Sequence, residues 1–413
     1  MQRSAPSAVQ WSDLPHELLG IVRSKVNSLS IGVRLAAVCK TWRAAVSLLP
    51  APPALPLLLI SPSDWTTATP RSLYCPEDDS VVRVPLPRSL TNSIWYHGSY
   101  DGGWIAVRPT PKPCPSVIVN VFSGTELTLS EKHEGVSCPG ASPSPVIWKI
   151  IFSEAPTSSS CILAAMATEN LMETDSKFYI ALRRLGCPDG WRKIQGHDKE
   201  GIADIMFYRG KLYGLTRFSE CLLRLDIGVD DNGAPVVTAA RRLAVQKRDG
   251  PKSTGKRVSE FSTYLFELRG NLAMAVKAIW SKQTGKPYLR VYELVDTTST
   301  DDTHIYKWSE VHSLGSHALF LGPRCSSKAV DVPAGGRGGV EGNHIYYTSH
   351  YCLREEEEEY KPCVTRSVDA GTMYFMDEQS VGDGCGDLDR IPSLGYYVRG
   401  SIYLPTWCFP PDM

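Results

Sequence analysis

The stretch that decides the fold reads DIMFYRGKLYGL and covers residues 204–215. Two runs rich in apolar and aromatic residues lie on either side of an Arg-Gly pair, and Gly adopts the positive φ of a tight turn at no steric cost. Short apolar runs separated by a turn residue are typical of strands. The stretch therefore predicts a tight turn at Gly210 that leads into a strand.

The turn phrase of this stretch recurs along the chain as Gly, any residue, then Ile, Leu or Met, then Tyr or Ala. Asn takes the Gly position once, and Asn is the usual substitute where φ is positive. We expect all six positions to be structural turn residues, each preceding a strand whose alternate residues face inward. They are Gly103, Gly210, Gly270, Asn343, Gly371 and Gly400.

Beyond residue 60 the chain contains short apolar runs with a period near two, the spacing of a strand with one buried face. Clear amphipathic helices are hard to find there, which disfavours a parallel sheet with crossover helices and a nucleotide-binding crevice. We predict an all-β, kelch-like β-propeller over residues 61–413, although its turn phrases are irregularly spaced where a strict propeller repeats roughly every 40 to 50 residues. A β-sandwich or distorted barrel is the alternative. The predicted strands include 117–122, 178–182, 222–227, 264–268 and 289–295.

Residues 11–49 have helical spacing instead. A helix start is indicated by Asp13, by Pro15 in the first turn and by Glu17 near the positive end of the helix dipole. Two apolar stripes at steps of three and four follow, so we expect two or three short helices. A unit of about 40 residues buries too little surface to be stable alone, so we expect it to pack on another domain or a partner. The stripes are Leu14, Leu18, Ile21, Val22 and Val26, then Leu35, Val38, Trp42, Ala45, Val46 and Leu49.

The runs LPHELL at residues 14–19 and VCKTWR at residues 38–43, with Arg34-Leu35 between them, resemble an F-box. The F-box is the adaptor-binding motif of SCF-type ubiquitin ligase receptors. The resemblance implies a three-helix F-box domain over residues 11–50 that binds a Skp-family adaptor and, through it, a cullin. A plain helical hairpin with Trp42 in its core is the alternative. The resemblance assigns adaptor contact to Leu14, Pro15, Leu18, Leu19, Val38, Cys39, Trp42 and Arg43.

Together with the phrase at residues 204–215, the motif resembles plant F-box proteins whose C-terminal region is domain of unknown function 295. The likeness covers nearly the whole chain and implies a small helical F-box, a kelch-like propeller and a receptor role, without a substrate. We expect residues 1–10 to be disordered. A Pro-rich segment that cannot continue a helix predicts a linker at 51–60.

Charge and cysteine usage restrict the partners and the compartment. Lys plus Arg and Asp plus Glu number 44 each, so no overall electrostatic signal points to nucleic acid or a membrane. The longest apolar run, 57–60, is far shorter than a membrane span. The 12 Cys are scattered without a C-x2-C pair, which indicates a reduced protein of the nucleus or cytoplasm.

Motifs for catalysis are weak. Residues 250–257 read GPKSTGKR, but Arg257 stands where a phosphate-binding loop needs Ser or Thr, so we interpret the segment as a basic loop. The five Glu at 355–359 are without a His or Asp cluster, and neither H-E-x-x-H nor G-x-S-x-G occurs. We expect no enzyme, cofactor or metal. The predicted function is a substrate receptor that binds an unknown target protein; the alternative is a carbohydrate- or small-ligand-binding propeller whose helices are only structural.

Overall fold

The computed structural model describes most of the 413-residue chain. The described residues are 14–25, 29–47, 54–60, 72–82, 93–109, 116–129, 146–169, 178–187, 190–194, 200–246, 258–280, 288–298, 304–348, 364–368, 372–378, 391–398 and 405–411. The predictions for segments 1–10, 250–257 and 355–359, and for the turns at Gly371 and Gly400, fall outside them. Within this part of the chain, no helix has the length and apolar character to cross a membrane.

The N-terminal part consists of three short helices. Leu19, Trp42 and Ala45 form their small buried core. Helices of eight to ten residues are marginal alone, so contacts between the helices supply most of their stability. The helices are α1 (His16–Lys25), α2 (Leu29–Val38) and α3 (Lys40–Ser47).

The rest of the described chain folds into six sheets, numbered here from the N-terminus. Sheet 1 contains β1 (Leu57–Ile60), β2 (Ser72–Cys75), β3 (Ser80–Val82) and, at its edge beside β1, β27 (Thr406–Cys408). Sheet 2 contains β4 (Ser93–Tyr100), β5 (Trp104–Pro109), β6 (Val117–Asn120) and β7 (Glu126–Thr128) in sequence order. Sheet 3 contains β8 (Val146–Phe152), β9 (Ile162–Thr168), β10 (Tyr179–Arg184) and β11 (Arg192–Lys193), also in sequence order.

Sheets 4 to 6 follow in the chain. Sheet 4 contains β12 (Ile202–Tyr208), β13 (Lys211–Thr216), β14 (Leu222–Val229) and β15 (Pro235–Leu243). Sheet 5 has the order β16-β20-β19-β18-β17, from β16 (Val245–Gln246), β17 (Val258–Leu268), β18 (Asn271–Trp280), β19 (Tyr288–Thr298) and β20 (His304–Val311). Sheet 6 has the order β22-β21-β23-β26-β25-β24, from β21 (His317–Leu321), β22 (Lys328–Asp331), β23 (His344–Thr348), β24 (Val364–Val368), β25 (Thr372–Glu378) and β26 (Ser393–Val398).

The six sheets form the closed ring of a β-propeller. Six apolar clusters each join two neighbouring sheets, in the order 1–2, 2–3, 3–4, 4–5, 5–6 and 6–1. One edge strand of each sheet lies towards the centre; we call these β27, β4, β8, β12, β17 and β22 the axial strands, and successive ones from β27 to β22 contact each other. All of the predicted strands occur in the ring, and they are the inner or middle strands of its sheets.

Sheet 1 closes the ring by pairing the two ends of the propeller chain. Leu58 lies opposite Trp407, whose side chain is fully buried and donates its indole N–H to the Leu321 carbonyl at 2.9 Å. The predicted linker at 51–60 is therefore wrong in its last four residues: β1 belongs to the propeller. Three of its four side chains are buried, and this burial outweighs the Pro-rich context on which the prediction rested.

The turn phrases have the predicted backbone geometry where they are described. Arg209 and Gly210 have φ values of 48° and 70° and join β12 to β13, and Arg269 and Gly270, at 50° and 80°, join β17 to β18. Gly103 precedes β5 at φ 85°. Asn343 has φ 58° and precedes β23, but β23 is parallel to both of its neighbours, so this turn is not part of a hairpin.

Candidate adaptor surface and central channel

Half of the predicted adaptor-binding residues lie inside the helical unit. Leu19 is 3% exposed and Trp42 is 9% exposed, so the indole belongs to the core shared by the three helices. Leu14 and Cys39 are half-buried and pack against the same core. These four side chains hold the helices together, which matches the hairpin alternative for Trp42.

The other predicted residues lie on the surface. Leu18 is 46% exposed, Val38 is 58% exposed, and Pro15 and Arg43 are exposed as well. Arg43 donates its Nε–H to the Ala36 carbonyl at 3.2 Å, so this side chain also ties α3 to α2.

Two further apolar residues continue the exposed surface of Leu18. Ile21 is 56% exposed and Val22 is 36% exposed, and residues three and four positions apart share one face of a helix. We call Leu18, Ile21 and Val22 the α1 face. Their spacing in the sequence predicts an apolar stripe, and the resemblance to an F-box gives an adaptor contact to Leu18 alone of the three; among the α1 side chains that the structure describes, Leu19 is the buried one. An outward apolar stripe of this kind is a candidate interaction surface.

The axial strands bring charged side chains into the centre of the ring. Lys149 on β8 and Asp204 on β12 are each 2% exposed, and the Lys149 Nζ lies 2.6 Å from the Asp204 Oδ1. The stretch 204–215 contains Asp204, but in the sequence it predicts only the turn at Gly210 and gives no sign of this ion pair. The pairing depends on how β8 and β12 meet around the axis.

A cavity of about 420 Å³ opens at the end of the channel where β4, β8, β12 and β17 finish and β22 begins. Its wall combines aromatic side chains such as Tyr100 and Phe207 with charged ones. The Lys328 Nζ lies 2.8 Å from the Asp101 Oδ1 across the rim of the cavity, so these two charges form an ion pair. The Ser327 hydroxyl is buried and has no hydrogen-bond partner within the part of the chain that the structure describes. The volume of the cavity suits a small polar ligand.

Turn residues predicted from the sequence lie at the same end. Gly270 and Arg269 line the cavity, and Arg209 of the preceding sheet donates to the Gly270 carbonyl at 2.7 Å. Arg269 in turn donates to the Ser313 carbonyl at 2.7 Å. The repeated Arg-Gly turns therefore link successive sheets, a role that the turn pattern by itself does not reveal.

The buried cysteines are poor candidates for chemistry. Seven cysteines are described and all are free thiols. Burial raises the pKa of Cys161 and of Cys325 to about 11, and that of Cys408 to about 12. Thiols with raised pKa values are weak nucleophiles and weak metal ligands. Among the described residues no three His, Cys, Asp or Glu side chains gather as a metal site.

Comparison with known proteins identifies the propeller. The family model described as KIB1-4 beta-propeller matches residues 72–375, which is more than half of the chain. An Arabidopsis thaliana protein named as an F-box protein is 23% identical over 402 residues, covering 94% of this chain and 99% of that protein. A second Arabidopsis F-box protein is 22% identical over 368 residues, covering 83% of this chain and 96% of its own length.

Proposed function

The chain belongs to the KIB1-4 β-propeller family, and on that premise we propose that it is the substrate receptor of an SCF-type ubiquitin ligase. In this role its helices bind a Skp-family adaptor, which connects it to a cullin, and its propeller binds the target protein. The chain itself catalyses no transfer. The resemblances to kelch-like propellers and to domain of unknown function 295 stay predictions, as does a location in the nucleus or cytoplasm.

The α1 face carries this proposal. Three apolar side chains point to solvent from a helix that directly follows the Leu-Pro pair of the F-box-like motif. Burial of each by an adaptor would contribute about 1 to 2 kcal/mol, since water removal from apolar area is favourable. Support also comes from the two relatives named as F-box proteins, which match over nearly their full length.

The burial of the motif residues indicates two different roles. We assign adaptor contact to Leu18 and Val38, with Ile21 and Val22 added, and Pro15 and Arg43 at the margin. Leu14, Leu19, Cys39 and Trp42 would instead maintain the shape of the helical unit, because they pack in its core.

Binding of the full-length chain to a purified Skp-family adaptor tests the proposal. Leu18→Asp and Ile21→Asp place a charge on the α1 face, and we expect each to weaken binding about thirtyfold, the scale of an interface hot spot. Phe218→Asp is the matched control, since Phe218 is 61% exposed but lies on the propeller. Circular dichroism checks that the helices remain folded. Equal affinities for wild type and both α1 variants would refute the proposal.

The cavity supports a second candidate function, in which the propeller binds a carbohydrate or another small ligand. Its volume and the unpartnered Ser327 hydroxyl favour a small polar ligand. A thermal-shift screen of the full chain with glycans and metabolites tests it, and Ser327→Val should abolish any stabilisation. A screen without a hit would count against it.

A further inference from the structure

Arg324 contacts two tryptophans from different sheets. It lies in the segment that precedes the axial strand β22, and its side chain is enclosed, since the residue is 8% exposed. Its guanidinium carbon is 4.6 Å from the centre of the Trp95 ring on β4 and 4.1 Å from that of Trp148 on β8. Both tryptophans stand near the beginnings of their strands, whereas the 420 Å³ cavity lies near the ends. The arginine thus lies towards the end of the channel where β4 and β8 begin.

The charge of Arg324 has no anionic partner among the described residues. No described carboxylate forms an ion pair with it, and its enclosed Nε has no hydrogen-bond partner. The buried acid of the axial strands, Asp204, is paired with Lys149 instead. Burial lowers the pKa of Arg324 to about 10, so the guanidinium is still protonated at neutral pH.

Another buried arginine of the propeller, Arg337, is a useful contrast. Arg337 is 1% exposed, and its Nη2 lies 2.9 Å from the Glu77 Oε1 while its Nε donates to the same oxygen at 3.1 Å. Buried charges in proteins are normally compensated in this way, because an unpaired one costs several kcal/mol. Contacts with two indole rings offset part of that cost for Arg324, but they leave the N–H groups at the guanidinium edge unused.

His97 adds polarity to this end of the channel without negative charge. Burial, and next the charge of Arg324, lower the pKa of His97 to about 3, so its imidazole is neutral. Arg108 acts on His97 in the same direction. The surroundings of Arg324 are therefore cationic and aromatic, which suits an anion attached to an apolar body.

We propose that Arg324, together with Trp95 and Trp148, binds the carboxylate of a ligand at this end of the channel. A guanidinium whose faces contact aromatic rings presents its N–H groups at the edge, where a planar carboxylate accepts two parallel hydrogen bonds. The indoles contact the apolar body next to the carboxylate. The ligand is a small carboxylic acid or the carboxylate of a peptide segment. The site is separate from the α1 face and independent of adaptor binding.

Benzoate is the probe for this site, with benzamide as its neutral isostere and inorganic phosphate as the alternative anion. We follow thermal unfolding and intrinsic tryptophan fluorescence of the full-length chain at constant ionic strength. Benzoate should raise the unfolding temperature saturably and change the fluorescence, since Trp95 and Trp148 adjoin the site, whereas benzamide should do neither. Peptides ending in Phe, as the free acid and as the amide, show whether a peptide carboxylate binds more tightly than benzoate.

Two variants separate binding from folding. Arg324→Met should raise the dissociation constant of benzoate at least tenfold while the unliganded protein stays as stable as wild type, because an unpaired buried charge is removed. Arg290→Met is the control, since Arg290 lies on sheet 5 in a half-exposed pair with Glu310, and it should bind benzoate as wild type does. The proposal is overturned if Arg324→Met keeps the benzoate response, if benzamide matches benzoate, or if phosphate alone binds.

Discussion

The Lys149 ammonium lies 2.6 Å from the Asp204 Oδ1, and the same carboxylate binds the backbone of a third axial strand. Its Oδ2 accepts the Leu265 N–H at 2.7 Å, and its Oδ1 also accepts the N–H of Ile205 at 2.9 Å. One aspartate therefore connects β8, β12 and β17 near the axis. Both oxygens are used, which is the condition under which a buried carboxylate is tolerated.

Asp204→Asn should destabilise the propeller by about 3 to 5 kcal/mol, because it leaves the Lys149 charge buried without a counter-charge. Urea unfolding measures the loss. Arg290→Gln breaks the half-exposed pair with Glu310 and should cost less than about 1 kcal/mol. A loss below about 1 kcal/mol for Asp204→Asn would show that the pair contributes little.

Gly98→Ala should destabilise the contact between sheets 2 and 3. A Cβ at this position would lie 2.0 Å from the Ile150 carbonyl oxygen, which is backbone and cannot move without shifting β8. We expect a loss of about 1 to 3 kcal/mol, the range of overpacking. Gly20→Ala is the control, because no described atom lies within 4 Å of a Cβ at this position and Ala is the better helix former. Equal thermal stability of the two variants would contradict the close approach.

Stability should depend on pH through His97. Its pKa in the folded chain is about 3, lowered first by burial, whereas the ordinary value is 6.5. Between these values the unfolded chain binds a proton that the folded chain does not, so stability is complete above pH 6.5 and falls by about 1.4 kcal/mol per pH unit as the pH decreases.

Comparison of wild type with His97→Gln isolates this effect. From pH 7.5 to pH 5 we expect wild type to lose about 2 kcal/mol more than the variant in urea unfolding, even if the substitution lowers stability at both pH values. Parallel pH profiles of the two proteins would show that His97 is not the group responsible.

Asn343→Gly should cost about 1 kcal/mol although Gly suits the positive φ. The Asn343 Oδ1 accepts the Leu314 N–H at 2.7 Å and the Ser313 hydroxyl at 3.2 Å, and Gly removes both bonds. Asn343→Asp keeps the acceptor oxygen and should cost less. Thermal unfolding of the two variants measures the difference, and a Gly variant as stable as wild type would exclude a role for the side chain.

Prediction from the sequence succeeded where the signal is local. Positive φ at Gly210, Gly270 and Asn343, and the strands that follow them, depend on residues close together in the chain. Helical spacing likewise indicated short helices before residue 50. The same spacing identified the stripe on α1 but not the side that faces water, because burial depends on what packs from other helices.

The candidate sites needed the tertiary structure for a related reason. Ser99 and Ser326 are 227 positions apart, yet the Ser326 hydroxyl donates to the Ser99 carbonyl at 2.6 Å, next to the segment that holds Arg324. No periodicity relates such residues, and the β1 strand was interpreted as a linker because its partner, β27, lies at the other end of the chain.

By itself, the sequence determined the strands, their turns and the short helices of this protein, since backbone preference and side-chain alternation act over a few residues. Only the tertiary structure decided that the ends of the propeller chain pair in sheet 1, that Leu18 and Ile21 face solvent, and that Arg324 meets Trp95 and Trp148. The exposure of Leu18 and Ile21 arises from how the three helices pack, and the other outcomes arise from closure of the ring, which brings distant segments together and thereby sets which charges are buried and which have partners.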